Sequence, residues 1–299
     1  MLSHYAGNDL EKGRLMWSVT GPDGSKLDSG TDDNIFQSTG SVQLIKQIDV
    51  GRYGISSPQD IILSARLEWP HGQTHNSWTF CLFPRPSGPL SDPTMVRSHP
   101  DMNVKSIHEI NPALTKNDLS HGSLSLICDG NAFSQHKFDS QIKGFLESGG
   151  SIVFLAQNAG LSKQVPLGFW QGFSIGYGSF IQEHSALSRF PRREFCDQLY
   201  FRFFGEGTAL LLEDMPKDFV PIAGGVMQRK PTSISTEKRL EKFGMLLEGT
   251  LGKGKIIMTT WNVITMEWAE AQYLVESLVA YALSNEFNPH YDLGPLFKK

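Results

Sequence analysis

The chain has 299 residues, 39% hydrophobic and 19% charged, with a formal net charge of -4 at neutral pH. That balance suits a folded globular protein of about two domains rather than a disordered chain, and it gives no electrostatic case for nucleic acid. Three cysteines, Cys81, Cys128 and Cys196, form no Cys-x-x-Cys and argue against a disulfide framework or a structural zinc site, and no apolar run approaches the roughly 18 residues of a membrane span.

The N-terminal residues carry neither a basic stretch nor an apolar core, so no signal peptide is visible. Residues 1–85 read as antiparallel β. Arg14 to Val19 is a strand, and Gly21-Pro22-Asp23-Gly24 is a turn. Val42 to Ile48 alternates imperfectly. Ile61 to Trp69 places Ile61, Leu63, Ala65, Leu67 and Trp69 on one face, and Asn76 to Phe83 does the same with Trp78, Phe80 and Leu82. Short strands with Gly/Pro turns between them predict a β-sandwich. Residues 86–93 are proline-rich and read as an interdomain linker.

From residue 94 the pattern changes to strands alternating with helices. Thr94 to Arg97 and Lys105 to Ile110 are weak strand candidates. The organising stretch is Ser123 to Ala156. An apolar run ends at Cys128. A helix from Ser134 to Glu147 carries Phe138, Ile142, Phe145 and Leu146 on one stripe, Gly149-Gly150 stops it, and Ser151 to Ala156 is a second apolar run. Strand, helix and strand at this length predict a βαβ unit with parallel strands, covered on both faces as in an open α/β sheet.

Residues 165–204 are rich in aromatic side chains and interrupted by glycine and proline, which predicts loop with short elements. Ala209 to Leu212 and Val220 to Ala223 are short strands, and Arg229 to Lys238 is an exposed loop. Lys242 to Glu248 and Lys255 to Thr260 flank a hairpin turn at Gly252-Lys253-Gly254. That glycine-rich turn has the spacing of a phosphate loop. Ile256 nonetheless stands where a Mg²⁺-binding hydroxyl is required, and a strand follows instead of a helix. A helix from Glu267 to Leu283 buries Ala271, Leu274, Val275, Leu278 and Ala282.

Two ordered sets of residues carry a family resemblance. Leu15-Met16-Trp17 with Gly30, Ile61 to Leu67, and Asn76 to Pro84 resemble the immunoglobulin-like sandwich near the C-terminus of some family 2 glycoside hydrolases, the β-galactosidase and β-glucuronidase kind. Gly149 to Leu155, Phe169-Trp170, Glu183 to Pro191, Met215 to Asp218, Leu246 to Glu248 and Gly252 to Lys255 resemble the flavodoxin-type, class I glutamine-amidotransferase-like α/β domain that follows it in bacterial members. The resemblance implies an immunoglobulin-like β-sandwich over 1–85 and a three-layer α/β domain over 94–299. Such hydrolases hold their catalytic carboxylates on a (β/α)₈ barrel of roughly 250 residues, for which this chain has no room.

The expected function is therefore that of a non-catalytic accessory region of a glycoside-hydrolase-like protein, serving domain packing, oligomerisation or carbohydrate contact. Its expected partners are a glycosidase's catalytic domain or subunit, a second copy, or an oligosaccharide. No catalytic residue, cofactor or metal is expected. An amidotransferase would need a cysteine nucleophile on the turn after Ser151 to Ala156, which reads Gln157-Asn158-Ala159-Gly160. Cys128 reads as a core thiol, His184 as a histidine bonded to loop backbone, and Glu213-Asp214 as a solvated strand end. Contacts to a sugar or partner are expected from Trp170, Trp261, Asn262, Asp129, Asn131, Gln157, Asn158 and His184, which follow predicted strands or lie in the aromatic segment. Two alternatives are a small esterase-like hydrolase with its site at the C-terminal edge of the parallel sheet, and a lectin-like binding module.

Overall fold

A computed structural model describes residues 1–84, 96–98, 125–128, 140–155, 177–193, 198–206, 209–229, 239–263 and 268–297. The described residues are mostly β-strand with few helices, in two compact units, Met1–Pro84 and Arg85–Lys299.

The first unit contains β1 (Leu2–His4), β2 (Leu10–Thr20), β3 (Lys26–Gln37), β4 (Ser41–Gln43), β5 (Gln59–Trp69) and β6 (Gly72–Leu82). Four of them form an antiparallel sheet in the order β3-β2-β5-β6, while β1 pairs with β4 in a two-stranded ribbon. Paired residues share a face. Leu15 therefore lies beside Leu67, Trp17 beside Ala65, Val19 beside Leu63, and Ile61 beside Phe80. Period two on β5 and β6 set this arrangement.

One expectation needs correction here. Val42 to Ile48 is a strand only as far as Gln43. From there the chain leaves the sheet and lays Ile45 and Ile48 on its apolar face. The twelve-residue strand β3 has almost no apolar signal, because it is an edge strand whose residues are largely polar and bury only Ile35 and Gln37. In place of a second full sheet, the second layer over the face consists of Leu2 from the ribbon, Ile45, Ile48, and Tyr53 from the 3-10 turn Val50–Tyr53.

The second unit is organised around one mixed sheet. Its strands are β7 (Val96–Ser98), β8 (Ser125–Cys128), β9 (Ser151–Phe154), β10 (Tyr177–Ile181), β11 (Leu210–Leu211), β12 (Ala223–Arg229), β13 (Arg239–Leu251) and β14 (Gly254–Thr259). Their order is β10-β12-β13-β14-β9-β8-β7, with β11 also paired to β13. The β7-β8-β9-β14 half is parallel and the remainder antiparallel. The βαβ unit is present: β8 and β9 run parallel, Ser125 opposite Ser151, with helix α1 (Ser140–Glu147) between them.

Helix α1 ends in a Schellman motif. Gly149 takes φ +96°, its N–H donates to Leu146 O at 2.9 Å, and the Gly150 N–H donates to Phe145 O at 3.0 Å. Ile142, Phe145 and Leu146 then pack on Ile152, Phe154, Ile256 and Met258. Burial of each such side chain contributes about 1.5–3 kcal/mol. Helix α3 (Ala269–Ala282) follows the short α2 (Phe201–Glu206), and its stripe of Ala271, Leu274, Val275, Leu278 and Ala282 is buried as its spacing predicts. Leu251 and Gly254 pair across a two-residue turn, so the glycine-rich stretch is a hairpin.

Tyr177–Ile181, in the aromatic segment expected to be loop with short elements, forms the five-residue strand β10, and one element differs from the sequence reading. The strand expected at Val220 to Ala223 instead begins at Ala223 and runs to Arg229. Pro221, which lacks an N–H, sits just ahead of it. The linker at 86–93 and the strand at Lys105 to Ile110 lie outside the described residues. No helix among the described residues is long and apolar enough to cross a membrane.

Candidate functional site

The apolar face of the first unit's sheet is covered over one half and open over the other. On the covered half the Trp17 indole lies flat on β3. This needs Gly30, since a Cβ there would stand 2.7 Å from the ring. Lys46 closes over Trp17 with its Nζ 5.6 Å from the ring centroid, and it is held there by Asp32 Oδ1 at 3.0 Å. Asp28 accepts from Tyr53 Oη at 3.3 Å and pairs with Arg52, which anchors the covering segment to the same edge.

Over β5 and β6 the described residues lay no equivalent cover. Trp78 is 42% exposed and Phe80 47%, against 2% for Ile61 on the neighbouring strand. The result is a groove of about 520 Å³, floored by Leu63, Ala65 and Leu67 and edged by Trp78, Phe80, Asn76, Thr74, His75 and Lys46. That volume falls in the range of small-ligand sites, and the lining combines aromatic faces with a few hydrogen-bonding groups. Beneath it, Trp17 Nε1 is buried without a hydrogen-bond partner among the described residues.

The sequence reading placed contacts elsewhere. Trp261 is 0% exposed: its ring stacks on Phe203 at 5.3 Å and meets Tyr200 and Phe204 at 5.8 Å. It is core, and no sugar reaches it in this packing. Asn262 is half-buried beside it in sequence. Trp170, Asp129, Asn131, Gln157 and Asn158 lie outside the described residues. Trp78 and Phe80 were legible only as inward-facing strand residues. The signal that they stay open is the shortage of strands to build a second sheet over them.

His184 belongs to a different cluster. Its Nδ1 accepts the Ala186 N–H at 3.1 Å and caps the 3-10 turn Ser185–Leu187. The ring proton is thereby assigned to Nε2, 3.6 Å from Glu248 Oε1. Tyr281 Oη donates to Glu248 Oε2 at 2.8 Å, and burial, reinforced by that carboxylate, pushes the Tyr281 hydroxyl well above its ordinary range. The arrangement ties the turn, β13 and α3 together around Glu248. Among the described residues no cluster of three or more His, Cys, Asp or Glu could hold a metal ion.

Comparison with known proteins gives families without assigned chemistry. Residues 133–296 match the family described as "Domain of unknown function (DUF8487)", and residues 1–84 match "Domain of unknown function (DUF8488)". No curated protein matches. Among solved structures, a calcium-binding mutant of Bacteroides uniformis beta-glucuronidase 2 is similar at 12% identity and a TM-score of 0.16, over 51% of this chain and 20% of that one. The chain thus spans about a fifth of that protein's length.

Proposed function

Because the chain belongs to the family of that first domain of unknown function (DUF8487), we propose its function from the site itself: it is a non-catalytic, carbohydrate-contacting accessory region of a glycoside-hydrolase-related protein. The single observation that carries this is the half-open aromatic face of the first unit. Trp78 and Phe80 are exposed to solvent, and Asn76 and Thr74 of the same strand also line the groove. Pyranose rings match such a surface, since their C–H faces pack on aromatic rings while their hydroxyls take up side-chain hydrogen bonds. The ordered resemblance to the accessory end of family 2 glycoside hydrolases supports the same reading.

The test is direct titration of the whole chain with β-linked oligosaccharides, followed by calorimetry and by tryptophan fluorescence. Saturable binding with a change in tryptophan emission, and no turnover of chromogenic glycosides, is the expected result. Turnover abolished by changing a pair of carboxylates would end the non-catalytic reading. Absence of binding to every sugar tried would end the carbohydrate reading.

A further inference from the structure

We propose that β6 pairs antiparallel with β6 of a second copy of this chain, joining two four-stranded sheets into one of eight strands. β6 ends its sheet, is eleven residues long and pairs only with β5 among the described strands. Its open side therefore presents a row of main-chain donors and acceptors. One of these is visible directly: the Ser77 N–H donates to the Asn76 side-chain oxygen at 2.9 Å, a side chain standing where a neighbouring strand's carbonyl would be. With the outward groups recurring every second residue from Ser77, residues 75, 77 and 79 can exchange about six main-chain hydrogen bonds with a mate, within the range a standard interface carries.

The two edges of the sheet differ in how they treat an incoming strand. β3 carries Lys26, Asp28, Asp32 and Asp33. β6, Gly72–Leu82, carries no Asp, Glu, Lys or Arg and no proline. Charge and proline are the usual means of blunting an edge, and β6 lacks both.

A second copy suits β6 better than an unrelated strand because the sequence is self-complementary about Ser77. In that register Trp78 lies beside Asn76 of the mate, Phe80 beside Thr74 and Thr79 beside His75, so no formal like charges oppose one another. The dyad stands perpendicular to the sheet, so both grooves face the same way. The two Trp78 rings become diagonal neighbours, roughly 7–8 Å apart between their backbone positions. Each copy then contributes Trp78 and Asn76 to a single aromatic strip. This pairing stands whether or not the groove takes a sugar.

Analytical ultracentrifugation of the whole chain is the first test, with a monomer–dimer equilibrium expected in the micromolar range, because edge pairing alone buries less than a standard interface. Ser77→Pro removes the central N–H on the open side, where proline is tolerated, and the variant should be monomeric with unchanged far-UV circular dichroism. Should that variant misfold, Ser77→Cys serves instead. Under mild oxidation it should cross-link to itself, since paired Cα atoms about 5.5 Å apart fall within disulfide range. Thr79→Cys, displaced from its own mate by four positions, should cross-link no faster than the wild-type chain. A wild-type chain monomeric to about 100 µM, a dimer indifferent to Ser77→Pro, or equal cross-linking by the two cysteine variants would overturn the proposal.

Discussion

Replacement of Trp78 by alanine separates binding from folding. Trp78 leaves 42% of its surface open, on the order of 100 Å² for a side chain of that size. Covering that area with a ligand at about 25 cal/mol per Å² gives an upper bound of roughly 2.5 kcal/mol. Part of it is offset by ordering the sugar and by imperfect overlap, which leaves about 1–1.5 kcal/mol, or roughly a tenfold weaker Kd in Trp78→Ala. The assay is calorimetric titration of wild type and variant with the tightest-binding oligosaccharide, alongside far-UV circular dichroism to show that the sheet is intact. A variant that binds as the wild type does, while remaining folded, would refute the assignment of the groove.

Trp261→Ala should behave in the opposite way. Its indole is wholly enclosed by Phe203, Phe204 and Tyr200, so the change should cost about 3–5 kcal/mol, read as a lower denaturant midpoint for the second unit. Gly149→Ala places a Cβ at φ +96° with no atom nearer than 4.0 Å. The expected loss is thus conformational alone, about 1–2 kcal/mol, measured by urea unfolding. The Tyr281 hydroxyl sits above its ordinary value of 10.0, raised first by burial and then by its bond to Glu248. The folded state thus holds that proton more tightly than the unfolded one. Its contribution is complete below pH 10 and is lost as the pH rises further. Tyr281→Phe should remove this alkaline loss and weaken the second unit by about 1–2 kcal/mol at neutral pH, as read by hydrogen exchange of α3. Unaltered alkaline loss in Tyr281→Phe would assign it to another group.

The elements that the sequence identifies are those whose local signals agree. On α1 an apolar stripe, a pair of glycines and a following apolar run all specify one answer, and the Schellman motif with parallel β8 and β9 is the result. The period-two residues of β5 likewise face the sheet's apolar side. By contrast, β3 is held by pairing to β2 and has little burial of its own, so its polar sequence resembles a loop. β10 is obscured in the same way, within a run of aromatic residues where hydrophobicity has no clear period. At the candidate site the difficulty was accessibility. Two tryptophans of one chain, Trp78 and Trp261, are equally apolar, and nothing local distinguishes the half-open ring from the enclosed one.

Periodicity and turn glycines thus determined which segments become strands and helices. Tertiary structure alone decided which aromatic side chains meet solvent. Burial depends on what the rest of the chain lays over a face. Lys46, Ile45 and Ile48 cover one half of the first sheet, while Trp78 and Phe80 on the other half stay open.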